Sequence, residues 1–324
     1  MNIRPRINRW TQARRSMLFG NAPLHALVQP HFVVAGENID TPIESMPGIN
    51  QQSIDVLIET VQNDYDNGIR AVMLFGVVEH SEKDDAASKA SDVDSHLHRA
   101  VQELKSIHGD SIVVMTDVCL CTATNHGHCG LVHEGEILND SSVERLCEIA
   151  VSHAEVGADY VCASDMMDGR VIAIRSALEA AGFTSTGILS YSVKYASTFY
   201  GPFRQAADSS PEFGDRSTHQ MDISSGYDEA ILESELDVKE GADIVMVKPA
   251  LAYLDVVRKV ADSINRPVAV YNVSGEYAMV MNATKDDNSR RRMVREIMTA
   301  FNRAGADVIV SYHAREIAEK GWLD

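Results

Sequence analysis

Short apolar runs recur along the chain, each bounded by glycine, proline or charge, and between them apolar residues return every three or four positions. The short runs read as strands buried on both faces, and the longer stretches as amphipathic helices. Strands are expected at 27–34, 71–75, 112–116, 160–163, 187–191, 244–247, 268–272 and 308–311. Of the helices, 143–156 places Val143, Leu146, Ile149 and Ala150 on one face, and 251–264 does the same with Leu254, Val257 and Ala261. Gly68, Gly157, Gly241 and Gly305 each precede a strand, where a helix ending in the left-handed conformation needs glycine. Alternation of this kind implies a parallel sheet, and eight units imply a closed (β/α)8 TIM barrel. An open, doubly wound sheet is the alternative.

Composition narrows the class. A chain of 324 residues can bury a large core, and no linker divides it. The net charge of −18 repels nucleic acid and anionic membrane, so neither is expected as a partner. No apolar run approaches the roughly 20 residues of a membrane span, and the N-terminus has no hydrophobic segment of the secretory kind. The expected compartment is the cytoplasm. Against this acidic background, Arg4, Arg6, Arg9, Arg14 and Arg15 form a basic arm. Residues 1–25 are therefore read as an extended N-terminal arm for subunit contacts, and 26–324 as the catalytic barrel. An acidic neighbouring subunit suits such an arm, and a solvated terminus is the plain alternative.

In a barrel the chemistry lies at the C-terminal ends of the strands. The residues there are Asp117, Ser164, Asp165, Tyr191, Lys194, Lys248, Ser274 and Tyr312. Lys248 ends an apolar strand, where desolvation disfavours the ammonium and leaves a nucleophilic amine that can attack a carbonyl. One such lysine alone is better explained by a stem on the rim with its head in water. Two are harder to explain that way, because each charge makes the other more costly. A second dense stretch carries Cys119, Cys121 and Cys129 with Gly127 and Gly130, a soft ligand set suited to zinc. The fourth position is left to water or substrate, or is closed by His126 or His128. Cys147 and Cys162 are assigned to core packing. A third stretch, 195–221, is long, rich in glycine, serine and proline, and carries aromatics with Arg204 and Arg216. It reads as a lid whose arginines either grip a substrate carboxylate or make surface ion pairs.

Together these motifs closely resemble the porphobilinogen synthase (5-aminolaevulinate dehydratase) family, from the arginine-rich arm to the C-terminus. The matching segments include Met246-Val-Lys248-Pro-Ala, Ser190-Tyr-Ser-Val-Lys194-Tyr-Ala-Ser, Phe199-Tyr-Gly-Pro-Phe203-Arg204, Gly214-Asp-Arg216, Val273-Ser-Gly-Glu-Tyr-Ala-Met279 and the cysteine loop. The resemblance implies condensation of two molecules of 5-aminolaevulinic acid into porphobilinogen, with loss of water, in haem and other tetrapyrrole biosynthesis. It implies a Schiff base on each of Lys194 and Lys248, with Asp117 and Ser164 near the reacting amine. Phe203, Arg204, Arg216 and Gln220 would bind one substrate under the lid, and Ser274 and Tyr312 the carboxylate of the other. Cys119, Cys121 and Cys129 would hold catalytic zinc, Glu233 an allosteric magnesium, and the arms would join a homo-octamer.

This sequence departs from the family's usual residues at Gln51, Ala87, Ala123, Asn125 and Ala163, standing for Arg, Gly, Tyr, Ser and Pro. The readings from other classes are a different lysine-dependent aldolase, which needs no trio of thiolates, and a non-catalytic zinc-binding relative. Bound zinc discriminates against the first, and turnover of 5-aminolaevulinate against the second.

Overall fold

The computed structural model describes residues 3–323. Eight parallel strands pair in sequence: β1 Leu27–Val33, β2 Ala71–Gly76, β3 Val113–Val118, β4 Tyr160–Ala163, β5 Gly187–Lys194, β6 Ile244–Lys248, β7 Val268–Asn272 and β8 Val308–Ser311. β8 also pairs with β1, Ile309 opposite Leu27 and Val310 opposite Val28, which closes the barrel and excludes the open sheet. Helices cover the outside: α2 Ile54–Asp66, α3 His96–His108, α4 Asn139–Glu155, α5 Arg170–Ala180, α7 Tyr227–Glu240, α8 Leu254–Ser263, α10 Asp287–Ala304 and α11 Ala314–Glu319, with α1 Gln12–Phe19 in the arm and α6 Gly201–Ala206 and α9 Ser274–Ala283 above the barrel. The expected strand positions hold, differing only at their ends.

Alternation along each strand divides the core in two. Val28 and Phe32, Ala71, Met73 and Phe75, Leu189 and Tyr191, and Ile244 and Met246 pack together inside the barrel. Their neighbours Ile188, Val193, Val245 and Val247 pack outward in the cluster that includes helix residues Leu146, Ile149 and Val257. Because the side-chain period is two, continuing the inward rows past the last apolar residue brings Asp117, Ser164, Lys248 and Tyr312 over the same barrel mouth.

Lys194 reaches that mouth only through an irregularity. Val245 lies opposite Ser190, but Val247 lies opposite Val193, so β5 carries one residue more than β6 over this interval. Such a bulge shifts the register by one position, which exchanges inside for outside. Beyond it Lys194 stands directly opposite Lys248, both on the interior face.

Glycine does punctuate the helix ends: Gly68, Gly157, Gly241 and Gly305 have φ of 103°, 102°, 111° and 108°. The aspartate two residues after three of them has a further role. Asp159, Asp243 and Asp307 each donate a backbone N–H to the neighbouring strand and accept on the carboxylate an amide of β3, β5 or β7, those of Val114, Ile188 and Val268, all at 2.9 Å. The Gly-Ala-Asp repeat thus aligns strand starts at the lower end of the barrel.

The arm seats against that end. Ile7, Ala13, Met17 and Leu18 join the interior cluster, and the buried Arg14 bonds the Asp159 carboxylate at 2.9 Å and the carbonyls of Ile7, Ser185 and Asp159. Arg4 pairs with Glu179. Replacing Arg14 by alanine is expected to lower the unfolding free energy by about 3 kcal/mol, the lower end of the range for a broken buried pair, because Lys105 remains 2.9 Å from Asp159. Urea denaturation checks this, and an unchanged midpoint would show that the pair contributes nothing net.

Candidate active site

Over the mouth, Lys194 and Lys248 are almost wholly buried, with 5% and 6% of their surfaces exposed. The Lys194 ammonium donates to the Ser164 carbonyl. Lys248 Nζ instead lies among rings, 4.3 Å from the centroid of Tyr271, 4.8 Å from Tyr191 and 5.3 Å from both Tyr200 and Phe203. Burial, then the neighbouring charge of Lys194, lowers the Lys248 pKa to about 7, against the opposing pull of Asp117. Near neutrality a large share of Lys248 is therefore free amine, which is what nucleophilic attack needs. Asp117 is raised above the usual carboxylate range by desolvation, opposed by a hydrogen bond from Ser164 and by the two lysines. One chamber thus holds two amines and a carboxyl group, and enclosure disfavours the charged forms of Lys248 and Asp117.

Beside it, the ligand atoms of Cys119, Cys121 and Cys129 lie within 4.8 Å of one another, all buried, with the first two sulfurs 3.4 Å apart. Tetrahedral zinc with bonds of about 2.3 Å needs sulfurs roughly 3.8 Å apart, so the trio fits with small adjustment. Among the described residues no histidine joins the group. His128 Nε2 pairs instead with the Phe213 carbonyl at 2.9 Å, and His126 Nδ1 accepts the backbone N–H of His128. Hydrogen bonds from Cys119 and Cys121, helped by the cations of Arg216 and Lys194, hold the Cys129 thiol well below its ordinary pKa. Its hydrogen bonds with Cys121 and Cys129, and then burial, push Cys119 up. A soft cation is the natural replacement for the shared protons.

The stretch expected as a lid does cover the mouth. It leaves β5 and returns so that Met221 N donates to the Lys194 carbonyl at 2.9 Å and Ala196 N to the Met221 carbonyl at 2.8 Å. Arg216 is buried, donating to the carbonyls of Gly127 at 2.8 Å and Ser209 at 2.6 Å. Burial acts to lower its pKa, but the sulfurs of Cys129, Cys121 and Cys119 outweigh this and raise it. Arg204 lies nearby and is lowered, first by burial and then by Arg216. A cavity methyl at Gly127 would meet the Ser210 carbonyl at 2.3 Å, so the cysteine loop and lid touch only because that residue is glycine. Gln220 is 3% exposed with both amide atoms lacking a protein partner, an unmet demand that a bound anion or water would satisfy.

On the Lys248 side, Ser274 Oγ accepts from Phe203 N at 2.9 Å, and Phe203 packs on Phe32 and Phe75. The Tyr312 and Tyr271 hydroxyls are 3.0 Å apart. Glu233 is not part of this chamber. It borders an outer cleft of about 850 Å³ with Asp168, Glu229 and Gln220, and its carboxyl is raised to about 7 by desolvation, countered by Arg170 and reinforced by Asp237, Asp168 and Glu229. Cys162 is buried inside the barrel and Cys147 packs on the outer core, as expected.

Two features were missed from sequence. Tyr271 and Tyr200 wall the Lys248 amine, and the Tyr200 hydroxyl donates to the Lys248 carbonyl at 3.0 Å. Tyr271 was within reach, being an inward position of β7, whereas Tyr200 comes from the lid and carries no periodic signal. Among the departures, Ala87 has φ of 52°, which explains the usual glycine and costs about 1 kcal/mol. Gln51 holds the Ala206 carbonyl of α6 at 2.7 Å.

Fold and chamber define a (β/α)8-barrel enzyme that works at the C-terminal ends of its strands, with paired interior lysines beside a thiol cluster. Comparison with known proteins makes this specific. The family model for delta-aminolevulinic acid dehydratase matches residues 2–320, and the chain belongs to that family. Relatives with this description include one from Archaeoglobus fulgidus, 47% identical over 97% of each chain, and one from Methanothermobacter thermautotrophicus, 50% identical over 90% of this chain and 88% of the relative. The crystal structure of delta-aminolevulinic acid dehydratase (porphobilinogen synthase) from Toxoplasma gondii in complex with the reaction product porphobilinogen superposes with a TM-score of 0.89 at 43% identity, covering 99% of this chain and 92% of that one.

Proposed function

We infer that this lyase condenses two molecules of 5-aminolaevulinic acid into porphobilinogen with loss of water, a step of tetrapyrrole biosynthesis, and that Lys194 and Lys248 each bind one substrate as a Schiff base. The observation that carries the lysine assignment is their register: two enclosed amines directly opposite one another, with Asp117 acting on both. The Lys248 amine adds to a ketone carbon, its two N–H protons pass in turn to the former carbonyl oxygen, and water leaves as the imine forms. Asp117, enclosed yet partly accessible, exchanges a proton with the groups around it. Arg204, Arg216 and Gln220 hold one substrate carboxylate under the lid with Phe203 as an apolar wall, while Ser274 and Tyr312 hold the other and Ser164 orients Asp117.

Zinc on Cys119, Cys121 and Cys129 would supply a Lewis acid for a substrate oxygen, or a bound water of lowered pKa. Glu233 suits an outer magnesium, since that ion keeps several waters and needs only one or two carboxylates, and the cleft has the room. The exposed Trp10 and Phe19 of the arm favour burial against other copies in a homo-octamer. We place the enzyme in the cytoplasm; no helix among the described residues is long and apolar enough to cross a membrane.

Incubating the protein with 5-aminolaevulinate and assaying for a pyrrole tests the reaction. Its pH dependence tests the amine. Because Lys248 is lowered to about 7, the free-base fraction grows as pH rises, so kcat/KM should climb through neutrality. A profile level across that range would show that Lys248 is not the group being deprotonated.

A further inference from the structure

On the far side of Asp117 from the lysines, an internal cavity of about 20 Å³ lies between the ends of β2 and β3 and helices α3 and α4. That is room for about one water molecule. Asp117 and Cys119 form its inner wall, His96 and His153 its helix side, and Lys89 and Ser95 its outer end. Outside lies an open cleft of about 580 Å³, and Lys89, Ser95 and His96 line that cleft too. Three residues therefore stand between the cleft and the cavity, whose lining includes no residue of the lid.

The two histidines have a demand the protein meets only in part. His96 is 7% exposed and His153 1%; the Val33 carbonyl approaches the ring of His96 and the Ala90 carbonyl that of His153 without an ordinary hydrogen bond, so at least one nitrogen of each ring has no partner among the described residues. The adjacent His98 differs, with Ser95 at 2.8 Å from Nδ1 and Ser152 at 2.9 Å from Nε2. Leaving buried imidazoles unpaired is costly, and water in the neighbouring cavity would relieve it. Burial keeps the rings neutral by lowering their pKa, so each offers one donor and one acceptor. Gly76 leaves the cavity clear: a methyl there would lie 3.1 Å from Leu97 Cβ and 3.6 Å from His96 Nε2.

Resting on the condensation proposed above, a further need appears. Each imine forms with expulsion of water into a chamber whose lid is fastened by Ser274 to Phe203 and by Arg216 to Gly127. We propose that the cavity behind Asp117 is a passage for water and protons between the catalytic chamber and the outer cleft, with His96 as its polar gate. It lets water leave while the lid stays closed over the remaining substrate.

Steady-state pyrrole formation by the zinc-loaded enzyme tests this. His96→Leu, which keeps the bulk and removes the polar edge, should lower kcat about tenfold with little change in KM, as for an exit step rather than binding. His96→Gln, retaining a donor and an acceptor, should stay within about twofold of wild type. Gly76→Ala narrows the space without touching a polar group and should slow kcat in the same direction. A high-resolution crystal structure of the wild type should place an ordered water against His96, His153 and Asp117. Wild-type kcat in both His96→Leu and Gly76→Ala, or a dry cavity, overturns the passage while leaving the reaction intact. Failure of the wild type to form any pyrrole would instead reject the reaction on which the passage rests.

Discussion

Lys248→Ala will turn over 5-aminolaevulinate at least about 10⁴-fold more slowly than wild type, since covalent catalysis disappears with its nucleophile. Lys194, on the neighbouring strand and held by the Ser164 carbonyl, is committed to the other substrate and does not replace it. Lys248→Arg should fall as far. It preserves positive charge among the same rings but is never deprotonated, so equal loss in both variants shows that the free amine matters. Borohydride added to working enzyme should fix substrate to Lys248 in wild type and lose that adduct in both variants. Turnover within tenfold of wild type in Lys248→Ala would reject the Schiff-base mechanism at this position.

Chelation will produce the next largest loss. Removing metal from Cys119, Cys121 and Cys129 should abolish pyrrole formation while melting changes by only a few degrees, because the barrel closes through backbone pairing and two apolar cores without the ion's help. Cys129→Ala should match the chelated enzyme in both respects, and re-added zinc should restore only the wild type. Metal binding should weaken as pH falls, since protons compete for the sulfurs. A collapse of thermal stability on chelation would mark a structural clamp, and undiminished turnover would remove the metal from the reaction.

Much of this architecture could be read from sequence because it repeats. The apolar runs gave the strands, glycine before them gave the helix ends, and clustering of cysteine in one loop gave the thiol site. What stayed hidden depends on residues meeting across the fold. Asp159, Asp243 and Asp307 look like polar punctuation until their carboxylates are found on neighbouring strand amides. Arg14 reads as part of a basic arm for subunit contacts, yet it is sealed beneath the barrel of its own chain. His96, His98 and His153 lie in helices α3 and α4, where single histidines among apolar positions look alike, and only packing separates the satisfied one from the other two. Glu233 illustrates the reverse limit: only family resemblance points to it, and it lines an outer cleft away from the lysines, with Gln220 bordering the same cleft.

The bulge in β5 is what sets the two lysines on one face. Leu189 and Tyr191 face inward, and strict alternation would present Val193 next, leaving Lys194 against the helices. One additional residue reverses this, so a barrel with a single interior amine and this one with two differ by one residue of β5. Excising Ser192 would undo that difference. The shortened strand would retain Lys248 and hide its partner, converting a template that couples two like molecules into one that can activate only a single carbonyl at a time.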